Sequence, residues 1–418
     1  MFLNDIVAVL YAPRKAFKRI VANPKYLGII VILLLFLGLQ LGYEYSQFSK
    51  VHIETTSPVP GIMQEYNNAT YWQADSNVAL TNNFNDYYNN TVYIANYAAS
   101  YPLFGNYSMQ VQANGTNSVL IALTDTSNID CTADGFQNLT MALKLVSPAS
   151  TPSNSVLTLY SLSDNNYYTY DLTSKVAEAN AVNQWGNLTV PLGPTASGWT
   201  ATGNPTWQNV TSLTLQLNYA NSEDITVRVG ALFFRGQYVQ PLTDNALNFI
   251  YTFLLQFTLQ FLATWLVLSV MLYVLFRALK AQVLWKTIFV AAGFALTVLV
   301  IRAVVNLAAT ATLPDLFFPY DAALGVVYDP FGSLYYPTQF ALPVATSAAA
   351  MSNITAAMAT FKTIITAMFV VSYVWIGALI GIAVKEMKPE FTTIKCLIVA
   401  ALSVAVTVLV LWLFIGFV

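Results

Sequence analysis

Residues 26–43 read YLGIIVILLLFLGLQLGY, an uncharged run long enough to cross the apolar part of a bilayer as a helix. Tyrosines stand at both ends of this run, and aromatic rings favour the membrane–water interface. The polar segment before the run is long, and no small-x-small cleavage site follows it. The run therefore predicts an uncleaved membrane-spanning helix.

Four further apolar segments predict an integral membrane protein with five helices. The chain has 418 residues, of which 56% are hydrophobic and 9% charged, with a mean hydropathy of +0.54. Soluble domains carry about 25% charged residues, so much of this chain is expected not to meet water. The net charge of −2 predicts no nucleic-acid partner. The predicted spans are residues 26–43, 246–276, 287–307, 361–384 and 391–418.

The distribution of Lys and Arg predicts the direction of the helices. Five basic residues precede the first helix, three follow the second, and three lie around the loop between the fourth and fifth. Short basic loops stay in the cytoplasm, and five crossings put all three groups on one side. We therefore expect a plasma-membrane protein with a cytoplasmic N-terminus and an extracellular C-terminus.

The N-terminal 25 residues combine apolar and basic positions. Phe17 and Ile20 share a helical face opposite Arg14, Lys15 and Lys18. Such a segment is either a pair of amphipathic helices on the inner membrane surface or a positively charged topology anchor. The sequence leaves both alternatives open.

The membrane part resembles the Yip-one domain family of five-helix membrane proteins. The resemblance is carried by residues 10–13 (LYAP) with Phe17 and Pro24, then by Trp265 and Trp375 in later helices, over residues 5–43 and 246–418. It implies a five-helix fold with a cytoplasmic N-terminus. Eukaryotic members bind Rab-type GTPases, but Val9 and Ala12 replace the Asp and Gly of their motif.

Residues 44–245 are expected to lie outside the cell. They contain 14 acidic residues against 5 Lys or Arg. Residues 44–103 have weak periodicity and predict an irregular outer stalk. Residues 104–243 change to a period of two and predict eight short strands in an all-β, jelly-roll-like sandwich. In one of these strands, Leu213, Leu215 and Leu217 alternate with Thr214 and Gln216, which predicts one buried and one solvated face.

Residues 185–236 resemble the last strands of carbohydrate-binding-module jelly rolls. Trp185, Trp199 and Trp207 lie in this stretch and could stack on sugar rings, or they could pack in the core or in turns. The acidic loop with Asp125, Asp130 and Asp134 offers oxygen ligands for a structural calcium, although turns also use Asp freely. No other cofactor is expected.

Asn-x-Ser/Thr sequons occur eight times, all on the predicted outer side. They stand at Asn68, Asn89, Asn106, Asn114, Asn138, Asn187, Asn209 and Asn353. The outer loop 308–360 is aromatic and predicts an interface with the membrane surface or with the β domain.

Three polar residues stand out in the predicted helices. Arg302 is expected to reach water or pair with Asp315, Asp321 or Asp329. Gln256 and Gln260 are expected to bond across helices. Charged and amide side chains in membrane helices are also candidates for a functional site.

The sequence contains no Gly-rich phosphate loop, no catalytic triad and no paired catalytic carboxylates. His52 is the only histidine, and Cys131 and Cys396 are expected in different compartments, so neither a His-based metal site nor a disulfide is predicted. The main hypothesis is a non-enzymatic surface glycoprotein, best matched to an archaeal plasma membrane, that binds a glycan, a surface layer or a membrane-protein partner. The alternatives are a permease or channel, and a membrane-trafficking or membrane-shaping factor.

Overall fold

The computed structural model describes residues 2–58, 65–88, 91–94, 99–102, 104–319, 340–341 and 352–415. The chain divides into two compact units. The helical unit comprises Met1–Val51, Gln240–Leu316 and Ala356–Val418, and the sandwich unit comprises His52–Val239 and Phe317–Thr355.

Five helical stretches are long and apolar enough to cross a membrane, as the sequence predicts. They are Leu27–Phe48, Ile250–Ala278, Trp285–Thr312, Ala359–Met387 and Thr393–Leu413. The helices are α1 (Phe2–Tyr11), α2 (Pro13–Ala22), α3 (Leu27–Phe48), α4 (Thr173–Glu178, in the sandwich unit), α5 (Pro241–Ala278), α6 (Trp285–Ala295), α7 (Thr297–Ala309), α8 (Ala359–Met387) and α9 (Thr393–Ile415).

Two features of these helices differ from the sequence prediction. The third span is not continuous, because α6 ends at Ala295 and α7 begins at Thr297. The Thr297 hydroxyl donates to the Phe294 carbonyl, a local bond that competes with the helical ladder. Helix α3 extends past residue 43 to Phe48, and this extension places Glu44 inside the helix.

The basic regions of the helical unit meet at one end. Arg14 on α2 pairs with Glu386 at the end of α8 at 3.1 Å, and Lys286 at the start of α6 lies 5.8 Å above the Tyr26 ring. The three basic regions therefore share one end of this unit, as five crossings require.

The N-terminal helices pack against other helices. Ala16, Phe17 and Ile20 on the apolar side of α2 are buried, and α2 contacts α6 and α8. For α2, these contacts do not favour the alternative in which the apolar side lies on lipid, because neighbouring helices cover that side.

The sandwich unit is built on two long antiparallel strands, β6 and β12. Their pairing is irregular between Asn218 and Ile225, which divides each strand into two halves. The strands of the chain are β1 (Val51–Ser57), β2 (Trp72–Ala74), β3 (Val78–Asn83), β4 (Thr91–Ile94), β5 (Ala99–Pro102), β6 (Ser108–Leu123), β7 (Asn138–Ser147), β8 (Asn154–Ser161), β9 (Ser163–Asp171), β10 (Gly186–Pro191), β11 (Trp199–Thr202), β12 (Val210–Val239), β13 (Leu316–Phe318) and β14 (Phe340–Ala341).

Each half of the β6–β12 pair carries its own flanking strands. The half near Val210 is flanked by β2 on one side and by β8, β9 and β11 on the other. The half near Val239 is flanked by β3 on one side and by β7 and β10 on the other, and β1 pairs with the end of β12. Apolar side chains from both halves form one core, which includes Met109, Val111 and Leu215.

The expected outer stalk is wrong where the structure describes it. Strand β3 pairs with β6 over six residues, and Trp72 of β2 is buried in the sandwich core. Asn82 and Asn83 do not prevent a strand, because their amide groups bond to Asn68 and Gln110 rather than to water alone. The expected set of only short strands is also wrong, because β12 runs for 30 residues.

Candidate recognition surface on the sandwich

One outward face of the sandwich unit carries a regular array of hydroxyl groups. Thr214, Thr158, Thr169 and Thr200 are register partners across strands β12, β8, β9 and β11. Neighbouring strands lie about 4.8 Å apart, so this row spaces its four side chains at nearly equal intervals. Each hydroxyl can both donate and accept a hydrogen bond.

A second row lies beside the first, two residues along each strand. It contains Ser212, Tyr160, Tyr167 and Thr202, which are again register partners. The Tyr160 and Tyr167 ring centroids are 5.6 Å apart with an interplanar angle of 54°. We call the eight residues of the two rows the hydroxyl face.

The hydroxyl face is uncharged and open to solvent. Thr200 and Thr202 are exposed, and the other six side chains are half-buried. The alternating partners on the same strands, such as Leu157, Leu159 and Leu213, point into the core and are buried. The period of two thus places polar groups on one side only, as it predicted for Thr214.

The face formed by the other half of the strand pair is charged and centred on Asp86. Its carboxylate pairs with Lys144 (2.8 Å) and with Arg228, and it accepts a hydrogen bond from the Trp185 indole (2.9 Å). Arg228 also donates to Gln110 at 3.0 Å. These side chains therefore satisfy one another's charges and hydrogen-bonding groups.

Aromatic residues of the chain itself lie over this charged face. Phe104 stacks on Phe233 with centroids 4.9 Å apart, and Tyr88 meets both Phe104 and Trp185. The predicted ligand residue Trp185 is thus engaged by Asp86 and Tyr88. Its binding to a sugar stays a prediction.

The other two predicted tryptophans meet at the edge of the core. Trp199 and Trp207 lie 5.4 Å apart, and Trp207 stacks on Tyr168 at 4.0 Å. Trp207 is 9% exposed, and the Trp199 indole donates to the Pro191 carbonyl at 2.8 Å. These contacts favour the packing alternative for both residues, because a ring face of Trp207 is stacked on Tyr168 and Trp199 packs against the hydrophobic core.

The acidic loop does not gather its three carboxylates. The Asp125 side chain accepts a bond from the Ser127 amide, and the Asp130 side chain accepts one from the Thr132 amide. Within the part of the chain that the structure describes, no group of three acidic, His or Cys residues converges as for a metal. The residues therefore do not fit the expected calcium site.

The side chain of Gln137 lies at the centre of the neighbouring turn. Its side-chain nitrogen donates to the carbonyl oxygens of Thr132 (2.6 Å), Ala133 (3.2 Å) and Gly135 (3.0 Å). Carbonyl oxygens are ligands that calcium also uses. In this turn, the amide group of Gln137 thus takes the place that a cation would have beside these carbonyl oxygens.

The buried thiol next to this loop is inert. Cys131 is fully buried, and burial, with a smaller effect of the Asp130 charge, raises the pKa of its thiol to about 12. Both cysteines are free and buried.

The predicted sequons differ in exposure. Asn114, Asn187 and Asn353 are exposed, whereas the Oδ1 atoms of Asn106 and Asn209 are buried. Asn138 is half-buried, Asn68 bonds to Thr70 and Asn82, and Asn89 lies outside the described residues.

Arg302, Gln256 and Gln260, the polar residues predicted within the membrane helices, all lie in the helical unit. The Arg302 guanidinium lies 5.0 Å above the Phe369 ring, while Asp315 pairs with Lys50 at 3.3 Å. The Oε1 atom of Gln260 is buried without a hydrogen-bond partner among the described residues, so it makes no bond across helices. Gln256 is half-buried, and no hydrogen bond joins it to another helix in the described ranges.

Other predicted partners of Arg302 and most of the predicted interface loop lie outside the described residues. Asp321 and Asp329 belong to this part, as do residues 320–339 and 342–351 of the loop 308–360. Phe317 is described and stacks on His52 with centroids 4.8 Å apart.

Sequence reasoning missed two features. The hydroxyl face had a partial signal, because Thr158, Tyr160 and Thr169 alternate with apolar residues. Its rows depend on strand register, which one sequence does not show. Glu44 in α3 gave no signal in the sequence, because it directly follows the uncharged run that ends at Tyr43.

Comparisons with known proteins give fold neighbours of the sandwich. The family 11 carbohydrate-binding module from Clostridium thermocellum, in complex with a β-1,3-1,4-mixed-linked tetrasaccharide, matches with 12% identity and a TM-score of 0.26, over 44% of this chain and 95% of that one. The CBM22-1 xylan-binding domain from Paenibacillus barcinonensis Xyn10C matches with 13% identity and a TM-score of 0.20, over 44% and 92%. An exo-β-agarase matches with 10% identity and a TM-score of 0.28, over 41% and 25%.

No family model matches the chain, and no curated protein matches it. The resemblance to the Yip-one domain family therefore stays a prediction. The structural matches have low TM-scores, and the sugars in their descriptions are ligands of those proteins.

Proposed function

We propose that this protein is a non-enzymatic, membrane-anchored receptor that binds neutral polysaccharide through the hydroxyl face of its sandwich unit. The observation that carries the proposal is the pair of register rows with eight hydroxyl-bearing side chains and no charge. The five apolar helices serve as the anchor.

The chemistry of the face matches that of an uncharged sugar chain. Sugar hydroxyls both donate and accept, as Thr, Ser and Tyr hydroxyls do. The tyrosine rings add apolar surface with a polar tip, which suits the apolar faces of sugar rings. The absence of charge from both rows favours a neutral glycan over an acidic one, because an acidic glycan would find no cation there.

The charged face is a poorer candidate for the same role. Its cations are held by Asp86, and Phe104 and Tyr88 lie over it. A ligand there would have to break these contacts first. The hydroxyl face requires no such rearrangement.

The proposal includes an orientation in the membrane. The basic end of the helical unit lies in the cytoplasm, and the sandwich unit lies outside the cell. The clustering of the basic regions, marked by the Arg14–Glu386 ion pair, supports the first statement. The exposed sequon residues Asn114 and Asn187 are compatible with the second.

The test is glycan binding by the purified full-length chain. Neutral and acidic polysaccharides are immobilised, and retention of the protein is compared with that of a Tyr160→Ala, Tyr167→Ala double variant. We expect retention on a neutral glycan and binding at least about 10-fold weaker in the variant, equivalent to ~1.4 kcal/mol.

Tyr238→Ala is the matched control, because Tyr238 is an exposed tyrosine of the same unit at the opposite end of β12 from Ser212. It should bind like the unmodified chain. Retention on acidic glycans alone, or equal binding by the double variant, would contradict the proposal.

A further inference from the structure

Helix α3 carries a buried acid that no part of the proposed function uses. Glu44 is 6% exposed and lies within the third helix, in the first membrane-spanning stretch. Among the residues that the structure describes, neither an ion pair nor a hydrogen bond reaches its carboxylate. An ionised carboxylate in such a place is costly unless something compensates its charge.

Two buried carboxamide oxygens lie on α3, which carries Glu44, and on α5, which packs against it. Gln40 stands one helical turn before Glu44, on the same face of α3, and is 7% exposed. Its Oε1 atom is buried without a hydrogen-bond partner within the described ranges, and the same holds for Oε1 of Gln260 on α5. All three groups are therefore acceptors that lack a donor.

Aromatic contacts place helices α3 and α5 side by side over the stretch that carries these groups. Phe36 of α3 meets Phe261 of α5 at 5.6 Å, and Phe48 meets Phe253 at 5.4 Å. The two helices thus run antiparallel side by side. The part of α3 between these contacts carries Gln40 and Glu44, and the part of α5 between them carries Gln260.

We infer that Glu44, Gln40 and Gln260 form a binding site for a monovalent metal cation, sodium or potassium, inside the helical unit. A carboxylate and carboxamide oxygens are hard ligands suited to such ions. One carboxylate balances one positive charge, whereas calcium sites use more acidic ligands. A bare proton fits less well, because a protonated Glu44 has one O–H group and could satisfy only one of the two carboxamide oxygens.

The site lies close to one end of the helix. Glu44 is 17 residues beyond Leu27, a rise of ~26 Å at 1.5 Å per residue, and four residues before Phe48. The basic residues gather at the opposite end, near Arg14 and Glu386. At the end near Glu44, Lys50 pairs with Asp315 at 3.3 Å, so a cation that enters there meets a neutralised Lys50 rather than the gathered basic groups.

The test measures cation binding by the full-length chain in detergent. Thermal unfolding is followed in sodium, potassium and N-methylglucamine chloride at equal ionic strength and pH. We expect the midpoint to rise with sodium or potassium in a saturable way, because a ligand of the native state stabilises it by mass action. Equilibrium binding of radioactive sodium or rubidium gives a second readout that does not depend on unfolding.

Glu44→Gln should abolish the saturable shift and the bound radioactivity, and Gln40→Leu should weaken both. Asn306→Ala is the matched control: Asn306 is also buried with an unsatisfied Oδ1, but it lies on α7. Helix α7 packs on another side of α3, where Thr310 meets Ser46, two residues after Glu44. This control should keep the cation response.

Three results would overturn the inference. The first is an unfolding midpoint that is the same in all three salts together with no bound radioactivity. The second is a full cation response in Glu44→Gln. A midpoint that follows pH but not the cation would assign the site to a proton and would equally reject a metal ion. Glycan binding is measured separately, so failure here leaves the proposed function standing.

Discussion

At the residue scale, Gln137 shows how one side chain decides between a metal site and a turn. Its amide nitrogen faces three carbonyl oxygens, of Thr132, Ala133 and Gly135, and donates to them. Gly135 is required by the same turn, because a Cβ atom there would lie 2.2 Å from the Asp130 carbonyl oxygen. The turn therefore depends on a donor at position 137 rather than on the nearby acids.

The substitution Gln137→Glu tests this role. It replaces the donor with a carboxylate that repels the carbonyl oxygens, and we expect a loss of ~1–3 kcal/mol in the free energy of unfolding of the sandwich unit. Calcium should restore part of the loss, because carboxylate and carbonyl oxygens together suit that ion. Thermal unfolding with added calcium or with a chelator measures both effects.

Gln184→Glu is the control, because exposed Gln184 donates to a single carbonyl, that of Asn180. It should cost little stability and should not respond to calcium. Equal behaviour of the two variants would show that the three carbonyl oxygens do not depend on Gln137.

At the element scale, small residues determine how closely helices α3 and α6 approach. A Cβ atom at Gly28 would lie 2.2 Å from the Phe294 ring, and one at Gly293 would lie 2.6 Å from Ile29. Gly38, on the same helix α3, has no atom within 4 Å of the corresponding position. Two glycines of one helix thus have opposite environments.

We therefore expect opposite results from two alanine substitutions. Gly28→Ala should lower the free energy of unfolding by ~1–3 kcal/mol, because the Phe294 ring must move. Gly38→Ala should be neutral or stabilise by up to ~1 kcal/mol, because alanine favours a helix more than glycine. Unfolding of each variant in mixed detergent micelles measures the difference. Equal effects would mean that the contact with Phe294 does not limit the approach of the helices.

At the scale of the whole molecule, the charge pattern predicts which end of the helical unit faces the cytoplasm. Glu390 belongs to the basic loop between α8 and α9, and Thr200 is exposed on the hydroxyl face. The native cysteines are buried and should give little background.

Cysteines introduced at these two positions report the orientation. On intact cells, a membrane-impermeant maleimide should label Thr200→Cys at once and Glu390→Cys only after permeabilisation. Each variant serves as the control for the other. The reverse pattern would contradict the proposed orientation, and labelling of both on intact cells would contradict a cytoplasmic basic loop.

Much of the architecture follows from composition and local pattern. The five apolar stretches, the grouping of basic residues and the alternation of Leu213, Leu215 and Leu217 with polar residues are local features, and the structure contains them. The error in the end of helix α3 has a tertiary cause. Helix α3 continues through Tyr43 and Glu44 because tertiary packing buries both side chains, which hydropathy alone does not reveal.

The candidate sites were less accessible to sequence reasoning. Trp199 and Trp207 were candidates as aromatic residues, but only the structure shows Tyr168 stacked on Trp207. Strand β3 was hidden by Asn82 and Asn83; the hydrogen-bond partner of Asn83 is Gln110, which is distant in sequence. Contacts of this kind depend on which strands become neighbours, and one sequence gives no register between distant strands.

Five apolar stretches long enough to span a membrane and a polar, β-rich region were readable from the sequence alone, because hydropathy, charge and period are properties of short stretches. Which side chains meet became visible only in the folded chain. The fold brings four threonines into one row across four strands, joins Asp86 to Lys144 and Trp185, and buries Glu44 near Gln40 without a counter-charge among the described residues. The physical reason is that register, burial and pairing arise between residues far apart in the chain, where a local pattern has no information.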